Sequence, residues 1–88
     1  MAKTYITTGA TTQCFTGPAE KVLITVNAAL TGSIKVIDDI TGTTANVATI
    51  TNPAVGDYYE YWDFGIGVRI VTSTTCDITV NATDRQYK

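Results

Sequence analysis

The chain has 88 residues, enough for one domain, and at this size only roughly 60 to 65% of the unfolded surface is buried on folding. Thr, Ile and Val make up 35 of those residues, against 2 Leu, 1 Met and 2 Glu; side chains branched at Cβ suit a pleated surface and lose rotamer freedom in helices, which excludes a helical bundle. A net charge of −2 with no basic run excludes the cationic stripe a nucleic-acid binder needs, no apolar stretch reaches the roughly 20 residues of a membrane-spanning helix, and 44% hydrophobic content argues against disorder.

Strands are predicted in chain order at 3–8, 12–16, 20–29, 33–40, 46–51, 57–63, 66–73 and 75–82. The punctuation between them is Thr8-Gly9, Thr16-Gly17, Thr31-Gly32, Thr41-Gly42, Asn52-Pro53 with Gly56, and Gly65/Gly67. Glycine supplies positive φ in tight turns and proline pre-sets a turn corner. Along the third strand Val22, Ile24, Val26 and Ala28 share a face opposite Lys21, Thr25 and Asn27, with Leu23 an apolar exception. Ile34 and Val36 alternate with Ser33 and Lys35, although Ile37 makes that strand apolar on both sides. Ile66, Val68 and Ile70 alternate with Gly67 and Arg69. In the last strand Cys76, Ile78, Val80 and Ala82 oppose Thr75, Asp77, Thr79 and Asn81. Such period-2 patterning gives strands with one face in a core and the other wet. The segment 24–28, Ile-Thr-Val-Asn-Ala, returns at 78–82, and both copies are expected to fill similar places in the core.

These elements predict a single all-β domain over 1–88. It is an antiparallel β-sandwich of about eight strands, jelly-roll-like or immunoglobulin-like, with a polar tail at 83–88.

Catalytic chemistry finds little support. The chain has no histidine, the commonest general base and metal ligand, and neither Ser33 nor Ser73 sits in a nucleophile elbow. Asp57 and Asp63 would lie about 20 Å apart on one strand, too far for a glycosidase pair. Asp38 and Asp39 are read as caps of the turn before Thr41-Gly42, with a Ca²⁺ site the weaker alternative because too few oxygens accompany them. Cys14 and Cys76 are expected to be free, buried thiols. No enzyme activity, cofactor or metal is predicted. Residues 1–8 lack the apolar core of a secretory leader, so synthesis in the cytoplasm is expected.

The run Tyr58-Tyr59-Glu60-Tyr61-Trp62-Asp63-Phe64 is the one concentrated feature. Alternation puts Tyr58, Trp62 and Phe64 on one face and Tyr59 and Tyr61 on the other. A small core buries one aromatic set more easily than two, so the segment is a candidate interface. The candidate residues are Tyr58, Tyr59, Tyr61, Trp62 and, on the following strand, Arg69. Plain packing of both sets and a sugar-stacking platform are the competing readings of the run, and a solvated face residue is the competing reading of Arg69.

The order Ser33-Ile34-Lys35-Val36-Ile37-Asp38-Asp39, Ala48-Thr49-Ile50, Phe64-Gly65-Ile66-Gly67-Val68 and Thr75-Cys76-Asp77-Ile78-Thr79-Val80 resembles small β-rich virion proteins of tailed bacteriophages. The resemblance covers residues 20–82 and rests on strand-and-turn pattern. It implies a structural role in the particle: a capsid decoration (cement) protein made in the host cytoplasm, bound to the major capsid protein on the virion surface. Such a protein is expected to be a homo-oligomer, for which a threefold cluster would suit the lattice, with no nucleic-acid or membrane partner. The alternative is a carbohydrate-binding or adhesive module of a tail or fibre.

Overall fold

The alternation resolves into eight strands: β1 (Ala2–Ile6), β2 (Thr11–Thr16), β3 (Ala19–Val26), β4 (Ser33–Ile37), β5 (Asn46–Thr51), β6 (Gly56–Phe64), β7 (Gly67–Thr72) and β8 (Ile78–Asp84). The computed structural model describes residues 2–42 and 46–84, and the side chains of these other than 2, 60–63 and 84. All eight expected strands are present, with ends displaced by up to three residues. The third stops at Val26 rather than continuing to 29, and Ala28, expected in the core, is exposed. The last begins at Ile78 and takes in Thr83 and Asp84, so these two are strand and not tail; the rest of the expected tail, 85–88, lies outside the described residues.

Two four-stranded antiparallel sheets form, one in the order β1-β8-β3-β6 and the other β2-β7-β4-β5. We call them sheet A and sheet B. The chain pairs first with last and inward from there: β1 with β8, β2 with β7, β3 with β6, β4 with β5. An immunoglobulin-type sandwich pairs its first two strands in one sheet. Here β1 and β2 lie in different sheets, and the nested pairing is that of a jelly roll.

The core between the sheets is built almost wholly from branched side chains. Of the largest side chains less than 2% exposed among the described residues, only Phe64 is aromatic and the rest are Ile and Val. Full burial of each is worth roughly 1.5 to 3 kcal/mol. The two copies of the Ile-Thr-Val-Asn-Ala segment are neighbours in sheet A, with Val26 opposite Ile78, Ile24 opposite Val80 and Thr25 opposite Thr79. The repeat therefore supplies matching cross-strand partners at the centre of the sheet. Turn chemistry follows the punctuation: Asn52 adopts φ 49°, and its side-chain oxygen accepts a hydrogen bond from Gly32 N at 2.9 Å. Gly32 itself has φ 152° and no room for a side chain, since a Cβ would lie 2.6 Å from Ser73 Oγ.

Ile37 is fully buried yet stands apart from the main core cluster. Its register partner is Arg69, which places both on the outer face of sheet B. The apolar-on-both-sides pattern in the sequence thus reports a second, small buried layer outside the sandwich core.

Candidate functional site

The two outer faces differ in how far the chain covers them itself. On sheet B, Arg69 lies between Gln13 on β2 and Ile37 on β4. Its Nη1 donates to Gln13 Oε1 at 2.9 Å and to Ile40 O at 2.6 Å, while Nε is covered and has no hydrogen-bond acceptor among the described residues. Gln13 Nε2 donates to Phe15 O at 2.8 Å and Asp39 O at 3.1 Å. The segment 38–42 is thereby strapped down at this end of the sheet.

Asp38 and Asp39 complete the strap. Asp38 accepts from three backbone N–H groups of the β6–β7 turn, Gly65 at 3.1 Å, Ile66 at 3.0 Å and Gly67 at 3.2 Å. Asp39 accepts from Ile40 N at 2.7 Å and Thr41 N at 3.2 Å. The N–H groups of Ile40 and then Thr41 hold its carboxyl below the usual carboxylate range. Both aspartates cap turns, as the sequence suggests, but Asp38 caps a turn far away in the chain. Oxygens aimed at N–H donors do not face a cation, and no cluster of three or more metal-ligating side chains exists among the described residues.

Among the described residues, sheet A carries the more open face. Register pairing sets Tyr5, Thr79, Thr25 and Asp57 in one cross-strand row and Lys3, Asn81, Leu23 and Tyr59 in the next. Tyr5 and Tyr59 are 62% and 50% exposed, with half-buried Leu23 between them. Thr25 Oγ1 donates to Asp57 Oδ1 at 3.0 Å, and Asn27 Nδ2 donates to Asp77 Oδ1 at 3.2 Å. The Tyr5 hydroxyl also bonds Asp77, and that carboxylate raises the phenol's pKa. The Lys21 ammonium sits 6.0 Å from the centre of the Tyr59 ring, at the outer limit of a cation–π contact.

The structure thus separates the five expected interface residues. Tyr59 is exposed on sheet A. Tyr58 faces the other way, packs against the core and donates its hydroxyl to Ala54 O at 3.0 Å. Arg69, expected beside them on the following strand, belongs to the opposite sheet, because the chain crosses the sandwich at Gly65-Ile66 between β6 and β7. The side chains of Tyr61 and Trp62 lie outside the described residues. Tyr5 was not among the expected residues; the inward Ile6 places its neighbour outward, and that parity is the signal for it.

A cleft of about 420 Å³ opens where the β3–β4 and β7–β8 loops meet, lined by Ala28, Leu30, Thr74, Cys76 and Asp77 among others. Cys76 is free and buried, as is Cys14. Its Sγ donates to Ile6 O at 3.5 Å, and burial pushes its thiol pKa up. A protonated thiol is a poor nucleophile, and burial favours that form of Cys76. Compared with protein-family models, curated proteins and solved structures, the chain gives no match.

Proposed function

We propose that the chain is a non-catalytic structural protein of a tailed-bacteriophage particle, a capsid decoration protein built in through the outer face of sheet A. The observation that carries the binding role is the inequality of the two faces. Sheet B is covered at its Ile37–Arg69 end by the protein's own 38–42 segment, whereas among the described residues sheet A presents Tyr5 and Tyr59 either side of Leu23. Large amphipathic rings around an aliphatic centre are typical of protein contacts. The particle assignment rests on the resemblance in strand-and-turn order, and a jelly roll is an architecture used by capsid domains. It is used by lectins too, so architecture alone does not choose a function.

Mass spectrometry of purified particles should find the chain in high copy number, and its absence from intact particles would refute the assignment. Tyr5→Ala with Tyr59→Ala should abolish incorporation while leaving the fold intact; unchanged incorporation would move the contact surface elsewhere. The exposed Tyr59 ring, with Asp57 in the adjoining row, favours a carbohydrate site as the second reading. Glycan-array binding lost in Tyr59→Ala would support it in place of a protein contact.

A further inference from the structure

We propose that the occupant of the outer face of sheet A is a second copy of this chain, docked face to face about a two-fold axis that crosses the strands. The inference rests on the reading of that face as a protein-contact surface and names its partner. What carries it is the placement of charge. Lys3 and Lys21 stand toward one end of the face, in the row of Leu23 and the row beyond it. Asp57 and Asp77 stand toward the other, in the row of Thr25 and beyond. The tyrosines, Leu23 and the threonines fill the two middle rows, which they share with Lys3 and Asp57, and Lys21 and Asp77 stand in the rows beyond. Glu20, next to Lys21 in the irregular start of β3, is exposed and stands at the rim of the basic end.

A face charged oppositely at its two ends meets a copy of itself in only one favourable way. Turned about an axis parallel to the strands, a second copy would set lysines against lysines. Turned about an axis across the strands, between the rows of Leu23 and Thr25, it sets the lysine end over the aspartate end of its partner, twice. Lys21 then faces the Asn27–Asp77 end of the second copy, Tyr59 faces Asp57, and Leu23 faces the methyl of Thr25. This is the self-complementarity an isologous dimer requires. The face runs about 20 Å along β3 from Lys21 to Asn27 and about 19 Å across four strands. Covering it buries a plan area of about 380 Å² per copy, or about 760 Å² in total, which is at the small end for a specific interface. A face this small makes a weak dimer that depends on its charges for orientation.

The test is a charge exchange followed by sedimentation. The wild-type chain should sediment as two copies at about 100 µM, and its dissociation constant should rise several-fold between about 50 and 500 mM salt as exposed charges are screened. The variant Lys3→Glu/Lys21→Glu and the variant Asp57→Lys/Asp77→Lys, each checked for native circular dichroism, should each associate roughly 10 to 100 times more weakly. Mixed in equal amounts, they should pair with one another at least as tightly as the wild type. A wild-type monomer at that concentration, a salt-insensitive dimer, or a mixture that stays monomeric would each overturn the proposal. If either variant does not fold, the salt series alone decides it. A monomer whose incorporation into particles is still lost in Tyr5→Ala/Tyr59→Ala would overturn only the second copy as occupant. A monomer whose incorporation is unaffected by those substitutions would overturn the contact-surface reading as well.

Discussion

Replacing Asp38 by alanine tests whether the cap on the β6–β7 turn is a principal brace of the fold. The substitution removes one carboxylate and leaves three N–H donors without their acceptor, those of Gly65, Ile66 and Gly67 at 3.0 to 3.2 Å. Gly65 and Ile66 are exposed and can rehydrate, so each loss costs on the order of 0.5 kcal/mol. Gly67 is buried, and an orphaned buried donor costs about 1 to 3 kcal/mol. The total is about 2 to 4 kcal/mol, a large part of the roughly 4 to 13 kcal/mol that 88 residues typically command. With a urea slope of about 1 kcal/mol per M, the midpoint should fall by about 2 to 4 M in equilibrium unfolding followed by tryptophan fluorescence. Asp38→Asn keeps an acceptor oxygen but loses the charge, and should fall between the two. A change in Asp38→Ala within about 0.5 kcal/mol, the usual effect of a surface substitution, would refute the brace.

The remaining expectations concern single contacts. Gly67→Ala should destabilise by about 2 kcal/mol in the same assay, because its Cβ would lie 2.7 Å from the backbone oxygen of Phe15, whereas Gly65→Ala meets nothing within 4 Å and should be nearly neutral. Thr72→Val should cost about 1 to 3 kcal/mol, since the buried Thr72 hydroxyl donates to Thr8 O at 2.7 Å and accepts from Ala10 N at 3.0 Å. Burial pushes the Cys14 thiol up to about 11, so it should resist an aromatic disulfide reagent at pH 8 in the native protein and react fully in denaturant. The Asp39 carboxyl is depressed by its backbone donors. Its stabilisation is therefore complete above the unfolded carboxylate range and is lost as pH falls through the folded value; thermal melts from pH 6 to pH 2 should decline less steeply in Asp39→Asn than in the wild type.

The strands were legible in the sequence because each carries its own evidence, an alternation that needs no knowledge of its neighbours. Strand order was not legible, because two sandwiches with the same inward faces differ only in which edges meet. The exception is instructive: the repeated Ile-Thr-Val-Asn-Ala segment marked β3 and β8 as equivalents, and they prove to be hydrogen-bonded neighbours. The outward placement of Tyr59 was legible in the sequence, whereas the placement of Arg69 was not. Adjacency in sequence was read as adjacency in space, and a jelly roll sends consecutive strands β6 and β7 to different sheets. Ile37 did signal something outside the core, but not that the 38–42 segment and Arg69 would be strapped at the same face. That arrangement depends on contacts 26 to 56 residues apart in the chain, such as those from Gln13 to Asp39 and from Arg69 to Gln13.

The two outer faces also divide the work of a small domain. A chain this short has limited core, and it gains further burial on sheet B by folding its own segment over Ile37. That leaves the arginine on this face with its Nη1 committed internally to Gln13 and Ile40, and a side chain so engaged is costly to redirect toward a partner. Sheet A keeps its threonines and tyrosines outward, and threonine lets the face remain wetted in the monomer. The association proposed there would add burial at Tyr5, Leu23 and Tyr59 without requiring any element to unfold first. On the proposed reading, a face that stays wetted alone and is complementary to a second copy would suit a protein made singly and assembled later into a particle.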